Sequence, residues 1–111
     1  MEFIDTFEGA VIVSDASGNI IYLNDKAVIN FQKEGGRDLI GKNLKDCHQD
    51  YSNKKIMEMI ETHEKNVYTI EKKGKKKLIY QAPWYLDGAF GGLVELSLEI
   101  PFEMPHFIRE T

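Results

Sequence analysis

Cys47 and His48 stand side by side in "GKNLKDCHQDYSNKKI", and a thiol next to an imidazole is the obvious first place to look for chemistry. A cysteine nucleophile needs a base within hydrogen-bond reach and donors aimed at the developing oxyanion. Adjacent side chains point apart, by about 100° on a helix, and no orienting word accompanies this pair. Cysteine catalysis is therefore not expected, and packing is the simpler role for Cys47. The other histidines are His63 and His106. With Cys47 and His48 they offer no Cys-x-x-Cys or His-x-x-x-His spacing that would set two ligands on one face, so no structural zinc centre is expected. Tyr68, Tyr80, Trp84 and Tyr85 lie in two predicted strands, where such groups either fill a core or turn a polar tip toward a ligand.

The chain that must position these groups has 111 residues, enough for one domain with its own core, and we read residues 1–111 as one domain. A lone cysteine has no disulfide partner within the chain, which suits a reducing compartment such as the cytoplasm. The start "MEFIDTFEGAVIV" carries acids where a signal peptide carries positive charge, and no apolar run approaches the length of about 20 residues that spans a bilayer. A net charge of −4 argues against nucleic acid and anionic membrane surfaces as partners. The one basic word, "KKGKKK", reads as a solvated hairpin turn, because no aromatic platform is interleaved with its lysines.

Phe3, Ile4 and Phe7 fall at helical spacing and predict a short amphipathic segment over 1–8. "AVIVSD" and "NIIYLN" flank turn formers and predict a hairpin, after which Asn24 or Asp25 caps a helix through Ala27, Val28 and Phe31. Further on, Ser52 is the expected cap of a longer helix whose Ile56, Met59, Ile60 and His63 share one face. "NVYTIEK", "KLIYQAPWYL" and "FGGLVELSLEI" predict three more strands, the last with Val94, Leu96, Leu98 and Ile100 on one face and two glycines that suit a bulge. "YQAPWY" is semi-apolar on both faces, so the sheet wants cover on its outer side as well. Pro101 and Pro105 end the sheet and leave 101–111 as an extended tail. Strands, then helices, then strands with short turns give an α+β class with an antiparallel sheet.

The words "GAVIVSDASGNIIYLNDKAV", "DLIGKNL" and "GAFGGLVELSLEI", in this order, resemble a PAS domain over essentially the whole chain. Asp15, Gly18 and Asn24 match the family's hairpin and helix opening, and Ile40-Gly41 its turn before the central helix. The "DCH" word is similar to a bacterial PAS subgroup with a Cys-His pair before the long helix. The resemblance implies five antiparallel strands with short helices and one longer helix on one face, and a pocket between sheet and long helix that holds haem, flavin, a small metabolite or nothing. Flavin-adduct chemistry is not expected, since Leu44 takes the place of the reactive cysteine in the word Gly41-Lys42-Asn43-Leu44.

Haem needs a single axial side chain, and His48 or His63 would be the ligand. We expect the pocket to be lined by His48, Ile56, Met59, Ile60, His63, Tyr80 and Leu96, with Cys47 packed inward and His48 at its mouth. Phe3, Ile4 and Phe7, with the outer sheet face, would form a homodimer interface. The expected function is a cytoplasmic sensory or regulatory module without enzymatic activity, which binds a small ligand, signals through dimer contacts and meets an output partner in trans. A ligand-free dimerisation or interaction adaptor is the alternative.

Overall fold

The first hairpin forms because Asp15 closes it. Its carboxylate accepts from the backbone N–H of Ser17 at 3.0 Å and of Asn19 at 2.9 Å, an Asx turn that joins β1 (Ala10–Ser14) to β2 (Ile20–Leu23). The computed structural model describes the backbone of residues 1–47 and 50–111 and the side chains of 1–46 and 54–111. Helix α1 (Glu2–Asp5) precedes the hairpin, and α2 (Asp25–Asn30) follows it. Three 3₁₀ turns, Gln32–Glu34, Gly36–Leu39 and Leu44–Cys47, then lead toward α3 (Asp50–Thr62). Strands β3 (Asn66–Lys72), β4 (Lys75–Leu86) and β5 (Ala89–Ile100) complete a five-stranded sheet of order β2-β1-β5-β4-β3, antiparallel at every pairing. The expected α+β class and sheet are both present.

Both later hairpins turn on two residues with positive φ, Lys73 (52°) with Gly74 (77°) and Asp87 (51°) with Gly88 (81°), the backbone twist that suits a tight antiparallel connection. The "KKGKKK" word is thus the expected turn. The last strand, expected from Phe90, begins one residue earlier at Ala89. Trp84 faces Gly92 while Tyr85 faces Phe90, so Gly91 is the extra residue of a bulge. A side chain at Gly92 would meet the Ser14 carbonyl oxygen at 2.0 Å, and one at Gly91 the Trp84 ring at 2.4 Å. That close approach lets the Trp84 indole donate to the Ser14 carbonyl (2.9 Å) and the Leu93 N–H donate to the Ser14 hydroxyl (3.1 Å), fixing where β5 lies against β1.

The core gathers Ala10, Ile12, Ile20, Leu23, Ala27, Leu39, Leu44, Ile56, Met59 and Leu93 between helices and sheet. Helix α3 begins at Asp50, so Ser52 lies in its first turn and not at its cap. At its other end His63 adopts the left-handed conformation (φ 59°) and donates its backbone N–H to the Met59 carbonyl at 2.8 Å, closing the helix. Residues 101–111 form no helix or strand.

Asn24 ties these parts together. Its Oδ1 accepts from the N–H of Val11 (2.9 Å) and of Ala27 (3.0 Å), capping α2, while Nδ2 donates to the carbonyls of Ile4 (3.0 Å) and Gly9 (2.8 Å). Asn24 is 1% exposed, so its own amide has no water to fall back on, and neither do the buried N–H groups of Val11 and Ala27 that it satisfies. Asn24→Ala is expected to cost about 2–4 kcal/mol, a lost cap plus orphaned buried groups, measured by urea denaturation. Helix α1 is held to β2 by the Tyr22 hydroxyl, which donates to the Asp5 carboxylate. That bond holds Asp5 below its ordinary 3.8, while burial, then the same bond, pushes Tyr22 up to about 12. A depressed carboxylate contributes stability above its unfolded pKa and loses it as pH falls through the folded one; a raised phenol contributes below its unfolded pKa and loses it as pH rises through the folded one. Wild type should therefore be more stable than Tyr22→Phe between pH 3.8 and 10.0, with the difference closing on either side, as followed by thermal melts across pH.

Candidate functional site: a lysine-rimmed cleft on the inner sheet face

The inner face is set by alternation from the buried core. Ala10, Ile12 and Ser14 of β1 point toward the helices, and register then places Leu93, Glu95 and Ser97 of β5, Lys77, Ile79 and Gln81 of β4, and Asn66, Tyr68, Ile70 and Lys72 of β3 on the same side. Tyr80 and Leu96, directly opposite each other, therefore face away from α3. They do not share a site with Met59, which corrects the expected pocket lining. The sequence reading went astray at β5: its apolar row of Val94, Leu96 and Leu98 looks core-directed, but pairing of Val13 with Val94 and Ile12 with Glu95 sends that row outward.

The space under α3 is filled. Ile56 and Met59 are 2% and 1% exposed and Ile60 packs against the same core, leaving a void of about 10 Å³ edged by Ile12, Leu44, Gln81 and Leu93. That is the room of one water at most, and neither haem nor flavin fits it. His63 is exposed, and its ring stacks on Phe90 at 4.0 Å with 7° between planes, Tyr85 meeting both edge-on at 6.4 Å. It is thus a helix-end residue with an aromatic neighbour and not part of the face made by Ile56 and Met59. The role expected of His48 and the inward packing expected of Cys47 lie outside the described residues. Among the described residues no group of three His, Cys, Asp or Glu side chains could hold a metal ion.

The open space lies next door. A cleft of about 780 Å³ separates the sheet from the end of α2 and the turn after it. Its floor is Ala10, Ile12, Ile79, Ile70 and Tyr68, with Glu95 and Ser97; its wall is Ile29 to Glu34, including Phe31. The rim is cationic, made of Lys33, Lys72, Lys73, Lys75 and Lys77. Burial, and then the nearby charges of Lys72 and Lys26, hold the Lys77 ammonium below its usual lysine value. At the other end a polar row crosses three strands: Asn66 Nδ2 donates to Gln81 Oε1 at 2.9 Å, and Gln81 Nε2 donates to Glu95 Oε1 at 2.5 Å. This row separates the dry core from the cleft, since Glu95 borders both spaces.

Sequence reasoning missed this site. The signal was available in the period-2 pattern, which puts Lys77 on the same face as Ile79, and Lys72 and Lys75 opposite one another. What was not available was the length of sheet that the helices leave uncovered. Among the described residues, no helix is long and apolar enough to cross a membrane.

The match to the PAS fold runs over residues 2–79, from α1 into β4, and the chain belongs to the PAS family. Solved structures of low identity share the fold. They include the Aer2 receptor of Vibrio cholerae (14% identity, TM-score 0.61, covering 84% of this chain and 95% of that one). The PAS domain of BvgS from Bordetella pertussis is similar too (17% identity, TM-score 0.65, 90% and 82% covered). A third is Vibrio cholerae VqmA (12% identity, TM-score 0.69), of which this chain, itself 91% covered, spans 51%. A search of curated proteins finds no match.

The division into a filled core and an open cleft has a direct test by chemical denaturation. Met59→Ala should cost about 2–5 kcal/mol, since it empties a packed position, while Lys72→Gln at the exposed rim should stay within about 0.5 kcal/mol of wild type.

Proposed function

We propose that the chain is a cytoplasmic sensory or regulatory PAS module, without catalysis of its own, that takes a small molecule in the lysine-rimmed cleft and signals through contacts between two copies. The observation that carries the reading is the shared strands. β4 and β5 present Ile79, Glu95 and Ser97 to the cleft and Leu78, Tyr80, Val94, Leu96 and Leu98, all half-buried, on the opposite face. A ligand lying on one side of these strands bears on the backbone that shapes the other. Phe7 (46% exposed) borders that outer face, its ring and Leu98 both reaching over Gly9, Phe3 (68%) adds exposed apolar surface in the same N-terminal segment, and such surface suits an isologous dimer. The relatives are in keeping with this reading: Aer2 is described as a dual PAS-heme oxygen sensor, VqmA has been solved bound to DPO, and VqmA is described as a dimer.

A second reading, a ligand-free dimerisation or interaction adaptor, is favoured by the filled space under α3, where the nearest void is about 10 Å³. The two readings part in a thermal-shift screen: a ligand at ~100 times its dissociation constant adds about 2.7 kcal/mol, and a broad screen with no stabilising molecule supports the adaptor. Sedimentation of the full chain at tens of micromolar should show a dimer that Phe3→Asp with Phe7→Asp weakens. A wild-type monomer at that concentration counts against signalling through paired copies.

A further inference from the structure

We propose that the cleft selects a small amphipathic carboxylate, an aliphatic or aromatic acid whose charged end lies among Lys72, Lys75 and Lys77 and whose apolar body lies over Ile70 and Ile79. This deepens the ligand-binding reading above and rests on it.

Charge is the first argument. The chain as a whole is acidic, with net charge −4, yet five of its lysines line this one cleft. The acids that face them are Glu34 on the wall, Glu95 on the floor and Glu99, whose carboxylate lies 3.6 Å from the Lys75 ammonium. Cations remain in excess at the rim after these are counted. Like charges held close repel, and an anion between them removes that cost. The lowered Lys77 is in keeping with this, since a bound carboxylate would counter both its burial and its cationic neighbours.

The second argument is polarity along the strand. Lys77 stands opposite Glu99, Ile79 opposite Ser97, and Gln81 opposite Glu95. From the lysine end to Glu95 is four residues, about 13 Å at ~3.3 Å per residue. Between them the ladder sets Ala10, Ser97, Ile79 and Tyr68 side by side, a largely apolar level with Phe31 on the wall, while Ile70 pairs with Lys77 at the lysine end and Ile12 with Glu95 at the other. Glu95, engaged by Gln81, would repel a second anionic group at the far end. One end of the cleft is cationic, the middle is apolar and the other end is anionic, which fits a molecule with a single carboxylate on an apolar body. Lysines act as point charges and the rim contains no arginine fork of the kind that grips phosphate through two bonds, so the apolar body must supply much of the affinity.

The test uses the full chain with octanoate, octanamide and inorganic phosphate as probes, followed by amide chemical-shift titration. Octanoate should bind roughly tenfold more tightly than octanamide, the effect of two or three exposed ion pairs, and should perturb Phe31, Ile70 and Ile79. Its advantage should shrink as sodium chloride rises, and Lys72→Gln with Lys77→Gln should bring the two probes to equal affinity. Equal affinity of octanoate and octanamide for wild type in the same cleft would overturn the anionic preference and leave the ligand-binding reading standing. Phosphate binding as tightly as octanoate would overturn the amphipathic part. Binding of neither organic probe, or shifts confined to the outer sheet face, would overturn the inference together with the cleft itself as the site. If the double variant does not fold, the salt dependence of wild type decides the same question.

Discussion

The side-chain amide of Asn24 has two donors and two acceptor sites, and all four are used at a point that water does not reach. Through them one residue holds the N-terminal segment, opens α2 and anchors the start of β1. These are the pieces that fix the cleft: Ala10 and Ile12 on β1 are its floor, and Ile29 to Phe31, at the end of α2, are its wall. Their separation is set by where α2 starts relative to β1, and that is a matter of two hydrogen bonds to the same Oδ1. No apolar contact could do this, because dispersion and burial carry little direction while a buried amide has fixed donor and acceptor geometry.

A second constraint sits at the other end of β1. The Gly91–Gly92 bulge brings the backbone of β5 against Ser14 so closely that a side chain at Gly92 has no room, and the Ser14 hydroxyl and carbonyl are satisfied by Leu93 and Trp84. The bulge shifts the alternation of β5 by one residue relative to a regular hairpin. Leu93 is thereby the inward residue, and the next inward positions along the strand are Glu95, Ser97 and Glu99. A polar half of the inner face can exist only if helices do not cover it, and α3 sets Ile56 and Met59 over Leu93 and Gln81, beside the cleft. The cleft is the consequence. It is the stretch of sheet that carries polar and cationic side chains between isoleucines and therefore could not have been buried under a helix at acceptable cost.

The sheet accordingly serves two surfaces of different character. Toward the cleft it is apolar in the middle with opposite charges at the ends; outward it offers a continuous half-buried row through Leu78, Tyr80, Val94, Leu96 and Leu98. Strands are stiff along their hydrogen-bonded ladders, so a change in what lies on one face alters twist and side-chain packing on the other. That is the physical basis on which a ligand and a partner would influence each other in a domain of this size.

Local patterns in the sequence determined a great deal. Asp15 and the residues after it specify the first turn, Asn24 the helix cap, and Lys73-Gly74 and Asp87-Gly88 the later turns, because each depends on neighbours within a few positions. The motif order was enough to indicate the PAS fold. What tertiary structure decided was orientation and coverage. Period-2 alternation tells that Leu96 and Glu95 point to opposite faces, but only pairing with β1 and the bulge at Gly91 tells which face meets the helices. Tyr80 and Leu96 were misplaced for that reason, and His63 because a helix-end residue in the left-handed conformation leaves the face its spacing implies. The cleft could not be read locally at all: it brings together β1, α2, β3, β4 and β5, and the lysines of a surface turn become its rim only when the hairpin is laid against the sheet.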